Sequence, residues 1–132
     1  MSVVEERLRA ADLSNDRTVF EYVEEHLLRQ GSRSTSHGLC LYRGPDDVAC
    51  AVGCLLTDEE ARVGDSGTTT GEAFDLSELI DKLPSVAERI GHVDRGMLLD
   101  LQNVHDARVV AEWRTWLDDT RKTHRYLWEG TT

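Results

Sequence analysis

The cysteines of this chain are grouped with a histidine in one short segment, where they could hold a metal ion. His37-x2-Cys40 and Cys50-x3-Cys54 form two close pairs of zinc-type donors. Structural zinc sites are commonly built from such pairs. A zinc site formed by His37, Cys40, Cys50 and Cys54 is therefore one interpretation of the segment, and zinc is the one cofactor that the sequence suggests.

A thiol of this segment could instead be a nucleophile, provided that a base takes its proton. His105, followed by Asp106, is the base that the sequence offers to Cys40, Cys50 or Cys54. Neighbouring residues of a helix point about 100° apart, so we expect Asp106 not to orient His105 unless the chain turns there. The enzymatic interpretation is a small cysteine-dependent hydrolase or transferase that uses His105.

The interpretation that we favour is that all the cysteines are packing residues of the core. Unpaired cysteine is among the residue types most often buried. His105 shares an apolar stripe with Leu101 and Val104, which is typical of a partly buried histidine with satisfied hydrogen bonds. No complete catalytic set is then present, and no cofactor is expected.

The elements around the cysteines are predicted to be a β-hairpin and several helices. Residues 39–43 and 48–52 flank Gly44-Pro45-Asp46-Asp47, a turn signal, and predict a hairpin over 39–51 with a short helix after it. In that register Cys40 and Cys50 point to opposite faces. Apolar spacing and capping residues predict helices over 3–11, 16–30, 57–64, 75–83, 84–91, from Asp94, and from about Asp106 to Leu127.

These elements predict a single globular domain over residues 1–132, with a mostly helical α+β fold and a small β-hairpin. The segment 64–72, rich in glycine and threonine, is predicted to be a surface loop.

The charge of the chain limits its partners. With 25 acidic against 15 basic residues the formal net charge is -10, which repels phosphate backbones and anionic membrane surfaces. We therefore expect no nucleic acid and no membrane as a partner, whereas a basic protein would be attracted. The first residues lack the apolar run of an export signal, so we expect a cytoplasmic protein with reduced thiols.

The aromatic residues near the C-terminus are candidates for an interface. Trp113 and Trp116 lie on the apolar stripe of the last predicted helix, whereas Tyr126 and Trp128 lie close to the end of that stripe or beyond it. Exposed aromatic side chains are typical anchors of protein interfaces. Trp128 and Tyr126 are therefore predicted to contact a protein partner, which includes a second copy of this chain.

Two blocks of the sequence resemble a pattern in small uncharacterised proteins of bacteriophages and bacteria. The first is C-L-Y-R-G-P-D-D-V-A-C-A-V-G-C-L-L from Cys40 to Leu56, followed by T-D-E-E, and the second is L-Q-N-V-H-D from Leu101 to Asp106. The resemblance implies that these blocks form the shared framework, and it implies no activity. It also suggests a phage or prophage setting and a role in tuning a host protein.

Taken together, the sequence predicts a small, acidic, cytoplasmic binding or regulatory protein that acts through protein contacts. The alternatives are the cysteine-dependent enzyme and a zinc-stabilised interaction module.

Overall fold

The first two helices begin and end close to where the sequence predicts. In the computed structural model, which describes residues 1–36, 38–67 and 72–129, α1 spans Val3–Ala10 and α2 spans Asp16–Gln30. Asn15 caps α2 through a capping box with Thr18, and Gly31 ends the helix in the left-handed conformation. Local capping signals therefore account for the limits of α2.

The remaining helices are α3 (Asp58–Ser66), α4 (Leu76–Lys82), α5 (Pro84–Ile90), α6 (Arg95–Ala107) and α7 (Trp113–His124). Capping boxes begin α3 at Thr57 and α4 at Asp75, as predicted. Two predicted limits are wrong. Helix α3 continues through the buried Gly64 to Ser66, and α6 continues through Asp106, so the last helix begins only at Trp113.

The β-hairpin lies earlier in the chain than predicted. Strands β1 (Thr35–Ser36) and β2 (Leu39–Cys40) pair antiparallel, whereas the predicted hairpin over 39–51 is reduced to one bridge between Arg43 and Ala49. Asp46 and Asp47 both adopt positive φ angles, as in a tight hairpin turn. Pairing stops next to the turn because the Tyr42 and Arg43 amides donate to Asp65 and the Ala49 amide donates to Gln30. Thus the small hairpin exists, but its register and its turn differ from the prediction.

Helix side chains take the place of a strand partner for the segment 49–56. The Gln30 side chain accepts from the Ala49 amide at 2.8 Å and donates to the Ala49 carbonyl at 2.9 Å. Gln102 accepts from the Val52 amide at 2.9 Å. Because these backbone groups are satisfied without a ladder, residues 49–56 can lie buried between the helices, ending in a short 3-10 turn at Gly53–Leu55.

The hydrophobic core lies between this buried segment and helices α2, α6 and α7. Its largest fully buried side chains include Phe20, Leu27, Leu101 and Trp113. Half-buried Trp128 packs on Phe20 with ring centroids 5.8 Å apart. The fold is therefore a small, mostly helical α+β domain, as expected. Among the residues that the structure describes, none of the helices combines the length and apolar character of a membrane span.

Candidate functional site

The cysteines occupy two different environments. Cys50 and Cys54 are buried, at 2% and 0% exposure, and burial raises the pKa of both thiols, to about 12 for Cys50. Cys40 is exposed, because β2 lies at the surface. The prediction that the cysteines are core residues is confirmed for Cys50 and Cys54 and is wrong for Cys40.

Strand β2 places Cys40 beside the last turn of α6. The Cys40 sulfur, a His105 ring nitrogen and an Asp106 carboxylate oxygen all lie within 4.8 Å of one another. The fold thus brings together three of the residues that the sequence analysis named. Their protonation decides what they can do.

Hydrogen bonds fix the tautomer of His105. The ring is fully buried, and its Nε2 accepts the Ser34 backbone N–H at 2.9 Å. An atom that accepts a hydrogen bond in its ring plane carries no proton, so the neutral ring must be protonated at Nδ1. Nδ1 lies 2.7 Å from an Asp106 carboxylate oxygen and donates to it.

Asp106 therefore does orient His105, contrary to the expectation from helix geometry. Helix α6 shows no turn at this point and continues to Ala107. The Cα–Cβ directions of the two residues still diverge, but both side chains can rotate about χ1 and χ2. Gln102, one turn earlier, donates to the same carboxylate at 2.8 Å and helps to bring it round.

This arrangement does not favour the cysteine-dependent enzyme. The lone pair of His105 is taken up by the Ser34 amide, so no free base faces Cys40. Burial, and after it the charge and hydrogen bonding of Asp106, raises the pKa of the Cys40 thiol. A nucleophilic cysteine needs the opposite shift.

The arrangement does not favour a metal site either. A metal ion at Nδ1 would have to displace the proton that His105 donates to Asp106, and Nε2 could not receive it while facing the Ser34 N–H. Within residues 1–36, 38–67 and 72–129, Cys50 and Cys54 belong to no donor group with Cys40. His37, the fourth predicted ligand, lies outside the described residues, so the zinc site stays a prediction.

Cys40 and Asp106 line a cleft of about 230 Å³, which we call the Cys40 cleft. Its polar lining includes two more carboxylates, Asp65 of α3 and Asp75 at the start of α4. Its apolar walls include Leu41, Val52, Leu76 and the half-exposed Leu99. Of the described residues that line this cleft, none is a lysine or an arginine.

Each carboxylate of the cleft is held by the scaffold. Asp65 accepts from the Tyr42 and Arg43 amides at 2.8 and 3.1 Å, and Asp75 caps α4 by accepting from the Glu78 amide at 2.8 Å. Burial raises the pKa of Asp65 despite those two amides. For Asp106, burial is outweighed by the hydrogen bonds from His105, Gln102 and Cys40, and the pKa is lowered.

Sequence reasoning missed Asp65 and Asp75 as residues of this site. Asp75 carried a visible signal, the capping box, but that signal indicates a helix start and nothing more. Asp65 fell in a predicted loop, whereas it lies on α3. Only the fold brings α3, α4 and α6 to one cleft.

The predicted interface residues are separated by their burial. Tyr126 is 62% exposed, whereas Trp128 is half-buried against Phe20. Packing on the core therefore accounts for Trp128, and Tyr126 is the side chain of this pair that is free for a contact.

Comparisons with protein-family models, with curated proteins and with solved structures find no match to this chain.

Proposed function

We propose that this chain is a small binding protein whose Cys40 cleft receives a positively charged group of a protein partner. The observation that carries the proposal is the lining of the cleft: Asp65, Asp75 and Asp106 with no basic side chain among its described residues. Arg43 and Arg33 act on Asp65 and Cys40 only from outside this lining. Carboxylates that line one concave site in which no basic side chain takes part attract a cation.

The size and the walls of the cleft favour a single side chain as the group that enters. A volume of about 230 Å³ lies below the range usual for drug-sized ligands. Leucine and valine walls suit the aliphatic stem of lysine or arginine, whose charged end would then meet the carboxylates. The net charge of -10 would also speed the approach of a basic partner.

We further propose a regulatory role in the cytoplasm, in a phage or prophage setting. The resemblance of the two sequence blocks to bacteriophage and bacterial proteins supports that setting. The free thiols of Cys40, Cys50 and Cys54 suit a reducing compartment.

Short peptides test the cleft directly. Blocked Gly-Lys-Gly and Gly-Arg-Gly peptides are titrated into the labelled protein while the backbone amide signals of Tyr42 and Gln102 are followed by NMR. A peptide with norleucine in the central position has a similar apolar stem and no charge. We expect saturable shifts with the basic peptides only, and weaker binding at higher salt because the contact is electrostatic.

A matched pair of variants tests the role of the carboxylates. Asp75→Asn keeps the cap of α4, because asparagine caps as well as aspartate, and removes one charge from the cleft. Asp81→Asn removes an exposed charge from the same helix away from the cleft. We expect D75N to weaken binding about two- to fivefold, the size of one partly solvated ion pair, and D81N to leave it unchanged. Equal shifts with the norleucine peptide, or equal effects of both variants, would contradict the proposal.

A further inference from the structure

A continuous set of hydrogen bonds connects the interior of the protein to the Cys40 cleft. It begins at the Ser34 amide, passes through the buried His105 ring and ends on Asp106, which lines the cleft. Gln102 donates to the same carboxylate, and the Cys40 sulfur lies close to it.

The position of Asp106 is unfavourable for the helix that carries it. Asp106 lies in the last turn of α6, where the free carbonyl groups give the helix end a partial negative charge. A carboxylate there is repelled, and Asp106 caps no helix start. Residues that break a local rule in this way are often found at functional sites.

We propose that His105 is a positioning residue that fixes the Asp106 carboxylate toward the Cys40 cleft, ready for the cationic group of a partner. For its ligand this inference rests on the function proposed above. For its geometry it rests only on His105, Asp106 and Cys40.

The fixed orientation follows from the geometry. The Asp106 side chain is 39% exposed, so by itself it could rotate into solvent, whereas the His105 side chain is fully buried and cannot follow it. The ring is held on its other side by the Ser34 amide and lies against Trp113, with ring centroids 5.6 Å apart. Losing the His105 donor therefore leaves the carboxylate held by the partly exposed Gln102 and gives it more freedom to turn into solvent. Losing the Ser34 contact affects mainly the interior.

Two substitutions at position 105 separate these roles. In His105→Gln the side-chain oxygen can reach the place of Nε2 and accept from Ser34, but the Nδ1 donor to Asp106 is lost and only Gln102 still donates to that carboxylate. In His105→Asn the side-chain amide takes the place of Nδ1 and can donate to Asp106, but Ser34 loses its acceptor. A third variant, Asp106→Asn, removes the charge itself.

The Cys40 thiol reports on the carboxylate without any ligand. Its rate of reaction with a neutral aromatic disulfide is measured at constant pH, with Cys40→Ser as the blank. Removing the adjacent charge lowers the pKa of the thiol and so increases the fraction of thiolate. Because a thiolate of lower pKa is also a weaker nucleophile, the rate rises only about three- to fourfold for each pH unit by which the pKa falls. We expect D106N to react fastest, H105Q more slowly and H105N slowest of the three, with a rate close to that of the unchanged protein.

The same variants are then tested with the Gly-Lys-Gly peptide. We expect H105Q to bind it several-fold more weakly than H105N does, even though H105N is the less stable of the two by urea unfolding. A purely structural role predicts the opposite, with function following stability. Imidazole nitrogen NMR must also show the proton of His105 on Nδ1, and a proton on Nε2 would overturn the inference.

The results distinguish failure of the inference from failure of the proposed function. If the peptide does not bind but the thiol rates follow the expected order, the ligand is wrong and the positioning role stands. If the peptide binds but H105Q and H105N have equal thiol rates and equal affinities, the positioning role is wrong.

Discussion

Replacement of Glu60 by glutamine should destabilise the protein far more than the same change at its neighbour Glu59. Glu60 is 6% exposed, and its carboxylate accepts from the Arg89 guanidinium at 2.6 and 3.2 Å, from the Ser85 hydroxyl and from the Thr57 amide at 2.8 Å. In glutamine one oxygen becomes an NH2 group. That group faces Ser85, which can reverse its hydroxyl, and Arg89, which has only donors.

The expected cost follows from the unpaired charge. Arg89 is 22% exposed at its side chain, so it would lose its carboxylate partner in a largely desolvated position. Breaking a buried pair from one side typically costs 3–5 kcal/mol, and because glutamine keeps one acceptor we expect about 3 kcal/mol for E60Q. Glu59 pairs with Arg62 on the surface of the same helix, with side chains 69% and 65% exposed, so E59Q should cost less than about 1 kcal/mol.

Urea unfolding followed by tryptophan fluorescence measures both variants against the unchanged protein. The difference between them is the decisive quantity, since the substitution and the helix are the same and glutamine keeps an acceptor for the Thr57 amide. A difference below about 0.5 kcal/mol would refute the conclusion that the Glu60 pair holds α3 to α5. Helix α3 also carries Asp65, which lines the Cys40 cleft. E60Q should weaken binding there only by raising the fraction of unfolded protein, and without urea that effect should be very small.

Three further outcomes are expected from the same structure. Burial lowers the pKa of His26 to about 4, whereas a histidine in the unfolded chain titrates near 6.5, so the unfolded chain takes up the proton first as the pH falls. The free energy of unfolding should therefore fall by about 2 kcal/mol between pH 7.5 and 5. His26→Gln keeps an N–H donor for the Ala49 carbonyl and should remove this contribution to the pH dependence. Under native conditions an alkylating reagent should modify Cys40 alone, and the other two cysteines only after urea unfolding; mass spectrometry of digested protein shows which site reacts. Gly53→Ala should lower the urea midpoint strongly, because a Cβ there would lie 2.0 Å from the Tyr42 carbonyl oxygen. Gly96→Ala at the exposed start of α6 should change it far less, because a Cβ there meets only the Asp94 side-chain oxygen, at 3.2 Å.

The helices could be predicted from the sequence where their signals are local. Asn15, Thr57, Asp75 and Asp94 each cap the helix that follows, and each acts through bonds to residues within one turn. The end of α3 was placed too early because Gly64 is a frequent stop signal. Here Gly64 lies inside the helix, and the close packing of α3 explains why the residue is a glycine: a Cβ would lie only 3.0 Å from Leu79 and Tyr42 side-chain atoms.

The segment from Leu39 to Leu56 could not be assigned from the sequence, because partners far along the chain decide its conformation. Its apolar residues fit the alternating pattern of a strand, and Val48, Val52 and Leu55 fit the spacing of a helix equally well. In the fold, Gln30 and Gln102 satisfy backbone groups of the buried part, and Asp65 satisfies the amides before the turn. Side chains that take the place of a strand partner leave no periodic pattern in the sequence.

The candidate site was predictable only in part, for a related reason. Its chemistry-bearing residues Cys40, His105 and Asp106 were named from the sequence, but in a relation that the fold changes: the sulfur is exposed, and the histidine has no free lone pair. Tautomer and burial depend on Ser34, a residue without any chemical signal of its own.

The carboxylates of the Cys40 cleft raise one further question, whether scaffold roles alone explain them. Asp75 caps α4 through one oxygen, and asparagine could accept the same hydrogen bond there. Asp65 accepts one amide on each of its two oxygens, so asparagine could keep only one of those bonds and the scaffold explains this carboxylate. Asp106 differs, because it lies at a helix end that disfavours its charge. If the scaffold required the charges of Asp75 and Asp106, asparagine at both positions should lower stability. If it does not, asparagine should leave stability nearly unchanged or raise it, since mutual repulsion and the helix-end penalty are removed. A gain in stability together with a loss of affinity for the basic peptides is the signature of charge kept for binding.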